Sequence, residues 1–261
     1  MPDGLQVWLD TRPVRTPDKQ ILTIPPSKHQ LATAIALEWD LIHSPQQALK
    51  THYIPMTSLA ARAMYIEQAD AQGTSTLRDD LSMMMMRYLS TDTLICWAPD
   101  KHRYDAPQDT TSLRQLQINV ATPITTYLRT HVWPGVVIRP ILEPDSIMPI
   151  PQPDLTQEVV RGWISGLPAY ELAGLERAML ASKSLLVAAR LVHEWGEAFA
   201  QERKAVDGRR FGIEEAAEAS SLEVRWQTSQ NGEVEDTHDV EREDLKRQLG
   251  SVVLLIGGDA V

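Results

Sequence analysis

The chain has 261 residues, 43% of them hydrophobic, which is enough to bury a sizeable core and excludes a disordered tail or a peptide hormone. Its 35 acids against 25 bases give a formal charge of -10, the wrong balance for neutralising nucleic-acid phosphates or for a general affinity to anionic membrane surfaces. A single cysteine, Cys96, rules out an intrachain disulfide or a thiolate metal cluster and fits a reducing compartment.

Taken in chain order, LQVWLD alternates Leu5, Val7 and Leu9 with Gln6, Trp8 and Asp10, the period-2 pattern of a half-buried strand. Thr16-Pro17-Asp18-Lys19 supplies a turn, and ILTIP returns as a second strand stopped by Pro25 and Pro26. Ser27 reads as the N-cap of a helix through LATAIALEWDLIH, with Leu31, Ile35 and Trp39 on one stripe. A second helix starts near Thr57 after Pro55. A third spans about 76 to 90, with Leu77, Leu81, Met84, Met85 and Tyr88 on one face. Its four consecutive methionines, Met83 to Met86, place two on the core face and at least one outward, as core filling or as a deformable surface for a partner.

Residues 92 to 110 read as a short apolar element running into a polar loop, followed by a helix from about 111 to 131. Six prolines between Pro134 and Pro153 forbid a continuous helix and predict an extended connector, in which WPGVVIRPI forms a short strand. Helices are expected at about 154 to 164, 168 to 203 and 212 to 230, then an acidic one ending near Gly250. SVVLLIGG closes the chain as a β-branched tail. The fold class is α+β, mainly α: a small β-rich N-terminal domain over 1 to 55, then a multihelical domain over 56 to 261 with its Pro-rich connector at 134 to 153.

The charge is unevenly placed. Between Glu194 and Arg247 stand 15 acids and 8 bases, a net of -7. The run Glu233, Glu235, Asp236, Asp239, Glu241, Glu243 and Asp244 reads as a solvated helix face or a docking surface. No apolar run reaches the roughly 18 residues of a membrane span. The N-terminus MPDGLQVWLDTRPVRTPDKQ has neither the apolar core of a signal peptide nor the Arg/Ser-rich, acid-poor character of a transit peptide.

Motifs for catalysis are weak. His193-Glu194-Trp195-Gly196-Glu197 begins like the H-E-x-x-H zinc helix, but Glu197 stands where the second imidazole is required. Glu235-x-x-His238 matches one Glu-x-x-His step of a di-iron bundle, which needs two. A metal-dependent helical enzyme would have to bring His193, Glu194, Glu197, Glu235 and His238 into one coordination sphere. Asp79 and Asp80 point about 100° apart on a helix and do not converge. Asp92 is a further carboxylate without a pair. Gly-rich phosphate loops and a G-x-S-x-G turn are absent, so no nucleotide is expected. Cys96 lies in apolar LICW, where burial raises a thiol's pKa and makes it inert.

LDTRPVRTPDKQILTIPPS, LATAIALEWD, IPMTSLAARAMY, RYLSTDTLICW, GLPAYELAGLERAMLASKSLLVAARL, SLEVRWQ and GEVEDTHDVEREDLKRQLG occur in that order from about Leu9 to Gly250. Together their order and spacing resemble the ATP synthase assembly chaperones that receive the alpha subunit, the mitochondrial assembly factor 2 type. The resemblance implies a non-catalytic, cofactor-free protein of the mitochondrial matrix, with its targeting segment absent from this chain. Its partner would be the free ATP synthase alpha subunit, shielded until it pairs with beta. It also implies a small β-containing domain joined to a larger helical one, a match of Glu223 to the family's sensitive acidic position, and a match of Glu38, Trp39 and Asp40 to its EWD element. The partner-binding residues expected on this basis are Glu223, Glu233, Glu235, Asp236, His238 and Asp239. One departure stands out: Asn231-Gly232 replaces the usual Trp-Gly before the V-E-x-x-H-D run. A generic scaffold adaptor with another client is the remaining alternative.

Overall fold

The computed structural model describes residues 4–99, 112–142, 148–203, 208–231 and 238–259. The N-terminal segment is a narrow β unit. Strand β1 (Trp8–Leu9) pairs antiparallel with β2 (Arg12–Pro13), Trp8 facing Pro13 and Leu9 facing Arg12. The predicted turn is present, with the Thr16 amide donating to the Gln20 carbonyl at 2.9 Å. ILTIP is not a continuous strand: it contributes only the isolated bridges Leu5–Ile24 and Arg15–Ile21. Leu9 faces solvent rather than the core, because the hairpin tip runs past the helices that cover Val14, Leu22 and Ile24.

Helix α1 (His29–Asp40) buries Leu31 and Ile35 and starts two residues after Ser27. Ser27 does not cap it; its hydroxyl donates to Glu197 at 3.0 Å. Helix α2 (Pro55–Ala71) opens at Pro55, earlier than expected, since proline at the first helical position gives up only an amide that lacks an intrahelical acceptor. Its free amides are capped from outside: the Glu38 carboxylate accepts from Met56 N at 2.5 Å and Thr57 N at 2.9 Å. Trp39 Nε1 donates to Thr57 Oγ1 at 3.0 Å, so Glu38 and Trp39 together join α1 to the start of α2.

Helix α3 (Thr76–Leu89) buries Leu81, Met85, Met86 and Leu89 while Met83 is exposed, as the run of four requires of a 3.6-residue repeat. One 3-10 turn (Thr93–Ile95) follows. Helix α4 (Leu113–Tyr127) is capped by Ser112 Oγ, which accepts from Gln115 N, and runs into a π turn (Leu128–Val132). Among its described residues the connector after Pro134 forms no strand. Pro134 and Pro140 lack amides, and the backbone is satisfied by a side chain: Arg139 N donates to Gln152 Oε1 at 2.9 Å, and Gln152 Nε2 returns a bond to the Arg139 carbonyl at 2.7 Å.

Helices α5 (Asp154–Gly166), α6 (Ala169–Ser182) and α7 (Leu185–Trp195) follow, then a 3-10 turn (Glu197–Phe199) and the short α8 (Ala200–Arg203). The expected single helix over 168 to 203 is therefore broken twice, at Lys183 and at Gly196. Lys183 is left-handed, and Ser184 starts a new cap by accepting from Val187 N at 3.0 Å. Helix α7 is buried along Leu185 to Glu194 and is the centre of the core. The last two helices, α9 (Ile213–Asn231) and α10 (His238–Ile256), form a hairpin against α6 and α7.

Helix α10 does not end near Gly250: the β-branched segment SVVLLI continues it to Ile256. Leu249, Val252, Leu255 and Ile256 recur at helical spacing and are fully buried, so burial on one face overrides β propensity. The close crossing on α6 needs Gly174, where an added Cβ would fall on Ile256 Cγ2. One continuous hydrophobic cluster runs from Val14 to Ile256. Buried Lys28 holds its two ends together: Nζ donates to the Ile256 and Gly257 carbonyls at 3.1 Å each and lies 3.3 Å from the Glu197 carboxylate. No helix among the described residues is long and apolar enough to cross a membrane.

Candidate partner-docking site

The corner between α6 and α7 is braced by one buried acid. Asp92 Oδ1 accepts from Ser184 Oγ at 2.6 Å and from Leu94 N at 3.0 Å, and Oδ2 accepts from Leu186 N at 3.0 Å. Burial pushes its carboxyl up to about 6, against the opposing effect of these donors. Asp92 is thus a bracing group inside the fold and faces no open site. On the outer side of the corner, the Lys183 carbonyl accepts from Thr93 N at 3.4 Å and Thr93 Oγ1 at 3.2 Å. A residue with a Cβ in the left-handed conformation costs roughly 1–2 kcal/mol, so packing alone would favour glycine here.

Helix α9 passes this corner and leaves a groove on each side. The larger, about 530 Å³, lies between Ser182–Lys183, the α9 residues Val224 and Arg225, and the α10 residues Leu245 and Gln248. The smaller, about 230 Å³, is lined by Leu94, Gln117, Val120, Lys183 and Glu223. Lys183, Ser220 and Val224 belong to both. Glu223 is exposed and accepts from Gln227 Nε2 at 3.2 Å. It stands close enough to Cys96 that its charge adds to burial in raising that thiol's pKa. Val224 beside it is 44% exposed. The hairpin is tied by Lys246 of α10 to Glu214 of α9 at 3.0 Å, while Asp244 is held by Arg247.

Of the residues expected to bind a partner, the fold places Glu223 on this groove. Glu233, Glu235 and Asp236 lie outside the described residues, as do the side chains of His238 and Asp239, whose backbone opens α10. Lys183 lies inside a long helical pattern, and the SKS step between two apolar helices is the one local signal of a corner.

Of the residues proposed for a metal, His193, Glu194 and Glu197 do not converge, while Glu235 and the His238 side chain lie outside the described residues. His193 is buried, its Nδ1 3.1 Å from Tyr127 Oη and its Nε2 3.2 Å from Glu202. Burial lowers its pKa, with Glu202 opposing. Glu194 pairs with Arg190 at 2.5 Å and accepts Arg203 on its carbonyl, whereas Glu197 turns to Ser27 and Lys28. Arg190 in turn lies 3.5 Å over the Tyr127 ring. These side chains knit α4, α7 and α8 together. Among the described residues no group of three or more His, Cys, Asp and Glu is placed to hold a metal ion.

The chain matches known proteins along most of its length. A family model described as ATP12 chaperone protein matches residues 1–129. Protein atp12, mitochondrial, of Schizosaccharomyces pombe is 28% identical over 249 residues, covering 95% of this chain and 76% of its own. Protein ATP12, mitochondrial, of Saccharomyces cerevisiae is 26% identical over 260 residues, covering 96% of this chain and 78% of its own. The structure of Atp12 from Paracoccus denitrificans shares the fold with a TM-score of 0.66 at 22% identity, over 97% of this chain and 91% of that one. The ordered motifs, the mainly helical fold and these matches agree: the chain is similar to the ATP12 chaperones over most of its length.

Proposed function

We infer that this protein is an assembly chaperone of ATP synthase that binds the free alpha subunit and shields it until beta takes its place. The observation that carries the reading is the match of 95% and 96% of the chain to two curated Atp12 proteins. The work of such a protein is holding rather than catalysis, and it needs no cofactor. The naming of both relatives as mitochondrial supports a mitochondrial location, and the role puts it in the matrix. Glu223 is the partner contact on the exposed face of α9, and Glu233, Glu235, Asp236, His238 and Asp239 extend the acidic contact along the same stretch of sequence. Charges at a rim steer a client and are readily exchanged, which suits a protein that must hand its client on.

The test is co-expression of the full chain with isolated alpha subunit in the absence of beta, followed by purification. Alpha is expected to co-purify and to be released when beta is added. A chain that leaves alpha behind would overturn the reading.

A further inference from the structure

Helix α1 begins without a cap of its own: Lys28 stands at the N-cap position, and its side chain makes no capping bond. The missing acceptor arrives from residues that follow α10. Asp259 Oδ1 accepts from His29 N at 2.9 Å, Oδ2 meets the His29 ring, and the Asp259 amide donates to the Ser27 carbonyl at 2.8 Å. The His29 ring, with the His29 and Gln30 amides, holds the Asp259 carboxyl below the usual carboxylate range. Lys28 reaches the other way, its buried ammonium donating to the Ile256 and Gly257 carbonyls that α10 leaves without helical partners. Gly258 lets the segment lie this close, since an added Cβ would stand 2.7 Å from Glu197 Cδ. What holds the chain changes abruptly at Ile256. Leu249, Val252, Leu255 and Ile256 are fully buried, whereas Gly257, Gly258 and Asp259 bring no apolar side chain, and both Asp259 and His29 are exposed. A segment resting on solvent-exposed hydrogen bonds opens at far lower cost than the packed helix beside it.

We propose that residues 257–259 are a strap that closes on the joint between the β unit and α1 and opens while the helical core stays folded. The joint is residues 25–28, where the Ser27 carbonyl is bonded by Asp259, the Ser27 hydroxyl by Glu197, and the Lys28 ammonium by Gly257. Closed, the strap caps α1 and gives Lys28 one of its two carbonyls. Open, it withdraws both and leaves α1 held by its buried Leu31 and Ile35. Elements that move in proteins that bind and release are drawn from such low-stability segments. The strap belongs to the chain alone and does not depend on which client is held.

Native-state hydrogen exchange of the full chain, followed by NMR at a series of low denaturant concentrations, tests it. In wild type the His29, Gln30 and Asp259 amides are expected to exchange through one shared opening that barely depends on denaturant. The buried α7 amides of Leu191 and Val192 are expected to exchange with the full slope of global unfolding. Asp259→Ala removes the cap and is expected to speed exchange at His29 and Gln30 about tenfold with α7 unchanged. Asp259→Asn keeps a capping oxygen and is expected to stay within about threefold of wild type. Exchange at His29 and Gln30 with the same denaturant slope as α7 overturns the proposal, because the strap would then open only with the whole fold. Unprotected exchange of these amides in wild type also overturns it, since the strap would not close. So does equal acceleration in the Ala and Asn variants, acceleration in neither, or acceleration of α7 as large as that of α1.

Discussion

Asp92 Oδ1 and Ser184 Oγ are 2.6 Å apart although 92 residues separate them in sequence, and both are fully buried. The carboxylate joins the turn after α3 to the first turn of α7, where the helix dipole and free amides favour negative charge. Burial still dominates and raises its pKa to about 6 from 3.8. Between those values the folded chain holds the proton more tightly than the unfolded chain. This group's contribution is therefore fully present below about pH 3.8 and is lost as pH rises through about 6, a span on the order of 3 kcal/mol. Urea unfolding of wild type and Asp92→Asn from pH 4 to 7 is expected to show that downward component in wild type alone.

Glu194 and Arg190 form a pair with both side chains under a tenth exposed. Glu194→Ala leaves the Arg190 guanidinium buried against the Tyr127 ring without a counter-charge, and is expected to cost about 3–5 kcal/mol in denaturant unfolding. Replacing both partners, Arg190→Met with Glu194→Leu, removes the stranded charge and is expected to recover much of the loss. A Glu194→Ala variant as stable as wild type would contradict this.

The methionine run offers an internal control. Met85 is fully buried and Met83 is 53% exposed, two positions apart on α3. Met85→Ala is expected to destabilise by about 2–5 kcal/mol through lost burial and a residual cavity. Met83→Ala is expected to stay within about 0.5 kcal/mol. Matched thermal melts of the two variants decide it.

Glu223→Lys reverses the sign of an exposed side chain without touching the core. Helical circular dichroism and melting temperature are expected to match wild type, while affinity for isolated alpha subunit falls by about tenfold or more. Unchanged affinity would remove Glu223 from the contact.

Periodicity made the helices legible where one face is buried: Leu31 and Ile35 on α1, Leu81 and Met85 on α3, and the Leu/Ala run of α6 and α7. It missed the breaks. Lys183 is an ordinary helix former, and nothing local marks it as left-handed; the corner exists because Asp92, 91 positions earlier, caps the helix beyond it. SVVLLIGG carries strand-forming residues but becomes helix because α6 presents Gly174 to receive it. Of the docking site, only Glu223 was legible, and through family resemblance rather than pattern.

The residue order by itself determined the class of this protein: a mainly helical, acidic chain with one unpaired thiol and the ordered motifs of the ATP12 chaperones. Those properties are sums and periods, and they do not depend on which helix meets which. Only the tertiary structure decided what the charge of -10 surrounds. Bringing α9 and α10 against the α6–α7 corner put Lys183 and Glu223 on the grooves that flank α9, because long-range contacts, and not local preference, choose which charges meet.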